Sequence, residues 1–281
     1  MHGISKDKYG KKNPSMTAAT ASVRAILFGL NYSADPANRL YGCINDVRAV
    51  QTFLVGQRPD AIVQVFDDVS TPDACRKAGI LGKLRAFVDA VNADPQCTYA
   101  WIHFSGHGSQ TRDRSGDESD GKDEAFVPTD FRTAGMLVDD ELTAILAGFT
   151  RKTLKVVCVM DACHSGTMCD LKYRWSTPTR ATLENATSKI NARVLAISGC
   201  LDTQTSADAF GVLETAAKKE AGGALTGCLL NALAVDKVTA VFDVHSAILA
   251  RLRANGFAQR PLITSSFNLS KDFTVLPPPL P

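Results

Sequence analysis

Two side chains that follow apolar segments have the types needed for nucleophilic catalysis. Cys163 comes shortly after Leu154–Met160, and His107 comes shortly after Thr98–Phe104. Apolar runs of this length bounded by small residues predict buried strands, and in open α/β sheets ligands bind at the carboxyl ends of strands. A cysteine attacks a carbonyl carbon as the thiolate, so a histidine base would complete the site. The spacing indicates a Cys/His nucleophilic enzyme; the alternative is two loop residues without a chemical role.

The neighbours of this pair narrow the chemistry. Gly108 allows the backbone to approach a substrate closely, and backbone N–H groups near Cys163 could stabilise an oxyanion. His164 directly follows the cysteine and should point elsewhere, so His107 is the preferred partner. A phosphatase loop needs an arginine six residues after the cysteine, where this chain has Cys169. Thiol redox chemistry through Cys163 and Cys169 stays possible, although their spacing fits no familiar disulfide-exchange motif.

Six apolar segments predict strands, and helical patterns alternate with them. The predicted strands are Val23–Leu30, Ala61–Phe66, Thr98–Phe104, Leu154–Met160, Ala192–Ser198 and Arg260–Ser265. Helices are predicted after Asp46 and over Thr71–Asn92, Glu141–Ala147, Ala224–Ala234 and Val241–Arg253, with a short hairpin between Ala125–Pro128 and Met136–Val138. This alternation predicts an α/β fold with a mostly parallel central sheet flanked by helices on both faces.

Composition divides the chain and excludes some functions. Residues 1–22 predict a flexible basic tail, 23–170 the larger part of one domain, 171–190 an irregular intervening loop and 191–281 the smaller part. A net charge of +2 gives no case for nucleic-acid binding, and no apolar run reaches the roughly 20 residues that span a membrane. The eight cysteines are irregularly spaced, which favours reduced thiols and a cytoplasmic location. The alternative location is an organelle, with the N-terminal segment as a transit peptide.

Several longer motifs resemble the caspase-like cysteine peptidases of clan CD and, more narrowly, the metacaspases. They are Tyr41-Gly-Cys-Ile-Asn-Asp46, Phe104-Ser-Gly-His-Gly-Ser109, Asp123-Glu124, Val138-Asp-Asp-Glu141, Asp161-Ala-Cys-His-Ser-Gly166, Ile197-Ser-Gly-Cys200 and Gln204-Thr-Ser-Ala-Asp208. The resemblance runs from about Val23 to Ser266, and the motif order looks like type I. A short basic tail takes the place of a long prodomain, so prodomain-borne regulation is not expected.

The resemblance implies a caspase-like fold and a cysteine-type endopeptidase with His107 and Cys163 as its catalytic dyad. It also implies cleavage after Arg or Lys through an acyl-enzyme, with Cys43, Asp46, Ser105 and Asp161 lining the pocket for the basic side chain. We call these four residues the specificity pocket. Carboxylates suit a cationic side chain. Taken alone, Asp46 could equally be a helix cap, whereas Asp161 at a strand end is harder to explain structurally.

Calcium activation is a further implication of the resemblance. The family's calcium ligands match Asp123, Asp139, Asp140 and Asp170. Carboxylates from separate loops are hard oxygen ligands of the kind that Ca²⁺ prefers. Without the resemblance, Asp139 could be a helix N-cap and the acidic loop around Asp123 a solvated surface.

Two other classes stay open at this point. One is a non-catalytic scaffold with the caspase fold, although both residues of the dyad are present. The other is a different clan CD peptidase, such as a legumain-like or gingipain-like enzyme. The resemblance further implies a monomer, protein or peptide substrates with Arg or Lys at the cleaved bond and a connection with programmed cell death. Autoprocessing at basic residues of the tail or of the intervening loop stays open.

Overall fold

The computed structural model describes residues 22–112, 122–162, 168–199, 208–215 and 218–276, with the backbone alone for 112, 122, 208–215 and 218–221. Its strands are β1 (Ser22–Gly29), β2 (Ile62–Asp67), β3 (Cys97–Ser105), β4 (Gly108–Arg112), β5 (Lys122–Phe126), β6 (Leu137–Val138), β7 (Lys155–Asp161), β8 (Tyr173–Thr177), β9 (Arg180–Leu183), β10 (Arg193–Ser198), β11 (Asp208–Thr215), β12 (Lys218–Gly223) and β13 (Leu262–Ser265). The helices are α1 (Cys43–Gln57), α2 (Lys77–Ala93), α3 (Phe131–Ala134), α4 (Asp139–Leu146), α5 (Ala224–Ala234) and α6 (Val241–Ala254).

One large sheet organises the described part of the chain, in the order β2-β1-β3-β7-β10-β13-β8-β9. From β2 to β10 the neighbouring strands are parallel. Beyond β10, the strands β13, β8 and β9 pair antiparallel. The small sheet β4-β5-β6 and the hairpin β11-β12 lie outside this order. The mostly parallel sheet expected from the alternation of elements is confirmed.

The central strands are buried on both faces, as parallel strands covered by helices must be. In β3, Ile102 and Phe104 pack into one apolar cluster, while Tyr99 and Trp101 pack into the other. Alternate residues of a strand point to opposite faces, so each strand contributes to both clusters. The sheet therefore separates two hydrophobic cores.

Different helices cover the two faces. On the first face lie residues of α2 and α4, namely Ile80, Leu81, Leu84, Phe87, Val88, Val91, Leu142, Ile145 and Leu146. On the second face lie residues of α1, α5 and α6, namely Val47, Val50, Leu54, Leu225, Leu229, Val244, Ile248 and Leu252. These are amphipathic helices with an apolar side at helical spacing. The prediction of helices on both faces is confirmed.

The segment between β7 and β10 differs from its prediction. Asp170–Ile190 was expected to be irregular, but it contains the hairpin β8–β9, which adds two strands beyond β13. Its pattern is weak because β9 is exposed along its whole length. Trp175 is an anchor, since its Nε1 donates to Ser265 Oγ at 2.8 Å. Pairing with β13 therefore stabilises a hairpin that its local apolar pattern does not predict.

A helix that crosses a bilayer needs about 20 predominantly apolar residues. Among the described residues, none of the helices combines enough length with enough apolar character to cross a membrane.

Candidate active site

The carboxyl ends of β1, β3 and β7 meet at one edge of the sheet. β3 lies between the other two, and its last residue, Ser105, pairs with Gly29 on one side and Asp161 on the other. After β1 the chain forms β2 on one side of β1, and it then crosses back to form β3 on the other side of β1. Such a change of direction opens a crevice at the carboxyl ends of the strands, where α/β proteins bind ligands.

Cys163, the predicted nucleophile, lies outside the described residues together with His164. The residues on both sides of positions 163–167 are described. Ala162 and Met168 each have 0% of their surface exposed, and Met168 packs into the first core. Asp161 ends β7 one residue before Ala162. The described residues that flank positions 163–167 are therefore buried.

His107 is held by contacts from the segment that follows β1. Its Nε2 lies 2.8 Å from the carbonyl oxygen of Asn38, and its backbone N–H donates to Tyr32 Oη at 2.9 Å. The Tyr32 hydroxyl donates in turn to the Val127 carbonyl at 2.7 Å, and the Tyr32 and His107 ring centroids are 4.7 Å apart. Burial raises the pKa of Tyr32 well above its usual value, so this hydroxyl stays neutral.

The Asn38 contact also assigns roles to the two ring nitrogens of His107. A carbonyl oxygen only accepts hydrogen bonds, so Nε2 carries the proton in this arrangement. The neutral ring then has its basic lone pair on Nδ1. Once Nδ1 is protonated, the same carbonyl stabilises the imidazolium. The ring is therefore oriented for proton transfer at Nδ1.

Asp46 is an interior residue of α1 and does not cap this helix. α1 begins at Cys43, its N-cap position is Gly42, and no side chain caps it. The Asp46 carboxylate is 0% exposed and accepts from Ser105 Oγ at 2.5 Å. It also accepts from the Gly223 N–H, at 2.9 Å on Oδ1 and 3.0 Å on Oδ2. The helix-cap alternative for Asp46 is therefore wrong.

Asp161 lies on the other side of the same glycine. It is 3% exposed, and its Oδ2 accepts from the N–H and the Oγ1 of Thr226, each at 2.8 Å. A Cβ added to Gly223 would collide with Asp161 Oδ2 and would lie 2.8 Å from Asp46 Oδ2. Two buried carboxylates thus face one glycine at the start of α5. Burying like charges together is unfavourable unless donors or a cation compensate them, so this is a pocket suited to a cation.

The described cysteines are buried, unlike a thiol that must reach a substrate. Cys43 of the specificity pocket is buried at the start of α1 and forms no disulfide with another described cysteine. The other described cysteines are also free and buried, namely Cys75, Cys97, Cys158, Cys169 and Cys228. Burial raises the pKa of Cys75 to about 12 and that of Cys228 to about 11. Thiols of this kind stay protonated near neutral pH and pack as small apolar side chains.

Three acidic side chains from β5 and α4 form a second group. Asp123, Glu124 and Asp139 are each no more than 3% exposed, and the backbone N–H of Glu124 donates to Asp139 Oδ2 at 2.9 Å. Burial raises the pKa of Asp139 to about 8, with smaller raising contributions from the charges of Glu124 and Asp123. Asp140, the next residue of α4, is exposed. Of the predicted calcium ligands, the structure thus brings Asp123 and Asp139 together in a crowded acidic environment.

Asp170, another predicted calcium ligand, lies in the chain after β7. It has a φ of 40°, and its Oδ2 accepts from Asn185 Nδ2 at 2.5 Å. The pKa of Cys169 is raised well above its usual value, first by a hydrogen bond to Cys158 and by burial, with charges of Asp170 and Asp139 among the smaller causes. Within the described ranges, no three His, Cys, Asp or Glu side chains are grouped so that they could hold a metal ion.

Several residues of the site were missed by sequence reasoning. Tyr32 follows β1 closely, and the strand-end rule that selected His107 could have found it. Thr226 and Gly223 lie where a glycine pair leads into an apolar helix, which is a weak signal. His103 is a polar residue inside an otherwise apolar strand, two positions before Ser105. Alternation along β3 places it on the same face as Ser105.

Comparison with known families agrees with this geometry. The family described as "Metacaspase, peptidase C14 domain" matches residues 23–172. "Metacaspase-1B" of Neosartorya fischeri is 32% identical over 321 residues, covering 95% of this chain and 75% of that protein. "Metacaspase-1B" of Aspergillus oryzae is 41% identical over 180 residues, covering 60% of this chain and 42% of that protein.

The extent of these matches varies. The aligned part spans 42% of the length of the Aspergillus oryzae relative and 36% of that of Aspergillus niger. Among solved structures, protein GSU0716 from Geobacter sulfurreducens aligns with a TM-score of 0.63 at 25% identity, covering 90% of this chain and 96% of that one. The similarity therefore covers both the sheet and the part that follows β10.

Proposed function

Because this chain belongs to the metacaspase family, whose members are cysteine-type peptidases, we propose that it is an endopeptidase that cleaves after Arg or Lys and is activated by calcium. The observation that supports cleavage after Arg or Lys is the pair of buried carboxylates, Asp46 and Asp161, on either side of Gly223. A basic side chain entering this pocket would meet two negative charges whose orientation hydrogen bonds already hold. Such preorganisation lowers the free-energy cost of binding.

The catalytic step proposed here uses Cys163 and His107. His107 Nδ1 takes the thiol proton, and the thiolate sulfur attacks the carbonyl carbon as the carbonyl electrons move to oxygen. The C–N bond then breaks, and the imidazolium gives its proton to the leaving amine. Water, deprotonated by the same nitrogen, hydrolyses the thioester and releases the acid. The Asn38 carbonyl supports this cycle because it holds Nε2–H and stabilises the charged ring.

The calcium proposal rests on the family and on the neighbouring carboxylates Asp123 and Asp139, because the described residues by themselves do not form a group of three metal ligands. Ca²⁺ would be held by Asp123, Asp139, Asp140 and Asp170, which offer the hard oxygen ligands that it prefers. The raised pKa of Asp139 fits this role, because a cation would favour the charged carboxylate that burial opposes. When bound, the ion would supply charge neutralisation and would order the segment that ends at Asp170. It takes no part in bond breaking in this proposal.

A peptide library assayed with and without calcium tests the main proposal. We expect cleavage after Arg and Lys that is lost in excess EGTA and restored by added calcium. The Cys163→Ala variant should have no turnover while it keeps the wild-type circular dichroism spectrum. Cleavage after Asp, or without preference, would contradict the pocket assignment, and activity that is independent of calcium would contradict the switch.

We further propose that the protein is a monomer, because the hairpin β8–β9 covers the edge of β13 that a second copy could otherwise pair with. Light scattering checks this proposal.

Arg180 and Lys189 are exposed in and after the same hairpin, and we propose them as autoprocessing positions. Mass spectrometry of the calcium-treated protein would identify cuts there, and Cys163→Ala serves as the uncut control.

A further inference from the structure

His103 is a fully buried polar residue that the catalytic cycle does not use. Its Cα pairs with Leu27 in β1 and Val159 in β7, so it lies in the centre of the sheet. Its side chain is 0% exposed, and its Nε2 lies 3.3 Å from Thr226 Oγ1. Burying an imidazole among apolar side chains is unfavourable unless its polar atoms find partners. Among the described residues, Thr226 Oγ1 is the polar partner of this ring.

The direction of each hydrogen bond in this group follows from the atoms present. The Thr226 hydroxyl has one hydrogen, which it donates to Asp161 Oδ2 at 2.8 Å because an ionised carboxylate only accepts. Oγ1 must then accept from His103, so His103 Nε2 carries a hydrogen. Nδ1 of His103 has no partner among the described residues. Burial lowers the pKa of His103 to about 3, which keeps the ring neutral.

We propose that Thr226 and His103 are positioning residues of the specificity pocket, which hold the Asp161 carboxylate ready to receive a substrate Arg or Lys side chain. In this arrangement His103 Nε2–H fixes the Thr226 hydroxyl as a donor, and the hydroxyl and N–H of Thr226 together fix Asp161 Oδ2. The inference depends on the Arg/Lys specificity proposed above.

The physical reason is the state of the pocket before substrate arrives. A buried carboxylate without donors would gain a proton or turn towards other partners, and either change would have to be reversed when the cation binds. Thr226 prevents both changes with two bonds to the same oxygen. Without His103, the Thr226 hydroxyl could rotate and accept a hydrogen bond instead. The effect should therefore appear in substrate binding more than in the chemical step.

Thr226→Val tests the hydroxyl while it keeps the side-chain shape and the backbone N–H. We expect KM for an Arg peptide to rise roughly tenfold, with kcat within about twofold of wild type. The matched peptide with citrulline, an uncharged analogue of arginine, should change by less than about twofold. Thr226→Ser keeps a hydroxyl and should retain most of the Arg preference. Equal losses on both peptides, or no loss on either, would overturn the proposal.

His103→Leu tests the relay through a double-mutant cycle. Alone, it should raise KM for the Arg peptide roughly threefold, whereas in the Thr226→Val background it should have almost no further effect. His103→Gln places an amide N–H near the position of Nε2 and should restore the Arg preference. Independent, multiplicative effects of the two substitutions would show that His103 does not act through Thr226.

A measurement on the wild-type protein tests the proposal even if these variants do not fold. Nitrogen NMR of histidine-labelled protein should show His103 as a neutral ring protonated at Nε2 throughout pH 5 to 8. A ring protonated at Nδ1, or one that titrates in this range, would overturn the relay.

These results separate the inference from the proposed function. A wild-type enzyme without Arg or Lys preference would reject the specificity itself. A wild-type enzyme with that preference, unaffected by Thr226→Val, would reject only the positioning role.

Discussion

Two buried acidic groups of this molecule are compensated in different ways. In the specificity pocket, Asp46 and Asp161 accept hydrogen bonds from Ser105, Gly223 and Thr226, which belong to β3, β12 and α5. In the second group, Asp139 accepts the backbone N–H groups of Asp140 in α4 and Glu124 in β5, with no side-chain donor among the bonds that the structure describes.

The difference suggests two kinds of dependence on a cation. The carboxylates of the specificity pocket receive donors from both the larger and the smaller part of the chain, so their geometry is set before substrate enters. The group around Asp139 is crowded by neighbouring carboxylates, and burial raises the pKa of Asp139 to about 8. A bound cation would therefore change the second group more than the first.

Asp161→Asn should have the largest effect, because it removes a charge from the specificity pocket without changing the side-chain shape. We expect kcat/KM for Arg peptides to fall roughly 100-fold, as expected for a lost charge-assisted hydrogen bond in a buried site. The calcium concentration for half-maximal activity should not change. Asp89→Asn, at an exposed position of α2, is the matched control. A changed calcium requirement would show that the specificity pocket and the acidic group around Asp139 are coupled.

Acid should destabilise the chain through His103. Its folded pKa of about 3 lies below the unfolded value of about 6.5, so the unfolded state binds a proton that the folded state does not. The free energy of unfolding should fall as the pH drops from about 6.5 towards 3, by on the order of 2 kcal/mol at pH 5. Urea denaturation at pH 5 and pH 7.5 measures this loss.

His103→Gln is the control for the acid effect, because glutamine does not titrate. Its difference in unfolding free energy between the two pH values should be smaller than that of wild type by about the same amount. An unchanged difference would mean that other groups cause the acid sensitivity and that His103 is not held neutral.

Asp139→Asn should affect calcium and leave the preference for Arg intact. We expect the calcium concentration for half-maximal activity to rise roughly tenfold or more, since one charged ligand is lost. Activity titrated with buffered calcium measures this shift, again with Asp89→Asn as the control. A reduced ratio of Arg to citrulline cleavage at saturating calcium would show that this acidic group also shapes the specificity pocket.

Ser105→Ala should have the smallest effect of the four. It removes the 2.5 Å hydrogen bond to Asp46 and leaves the Gly223 N–H in place. A single lost donor predicts a roughly fivefold fall in kcat/KM for Arg peptides. A loss as large as that of Asp161→Asn would mean that Asp46, rather than Asp161, carries most of the charge recognition.

The sequence predicted the parts of the fold that have strong local patterns. The apolar runs of β1, β3, β7 and β10 and the helical spacing of α2 locate buried elements, because burial on both faces requires continuous apolar residues. The same reasoning failed for β8 and β9. These strands are stabilised by pairing with β13, and an exposed edge hairpin has no apolar alternation to detect.

For the site, local hydrophobic patterns are sufficient to place His107, Cys163 and Asp161 at or just after strand ends. The contacts of Asp46 could not be predicted in this way, since its position is equally suited to a helix cap. It also brought Gly223 and Thr226 against carboxylates more than 60 positions away in the chain. Hydrogen bonds between distant segments form only when the sheet and α5 pack together, so no local pattern encodes them. The pairing of the two acids therefore depends on the folded chain, whereas the strand ends next to His107 and Cys163 are predicted from local hydrophobicity.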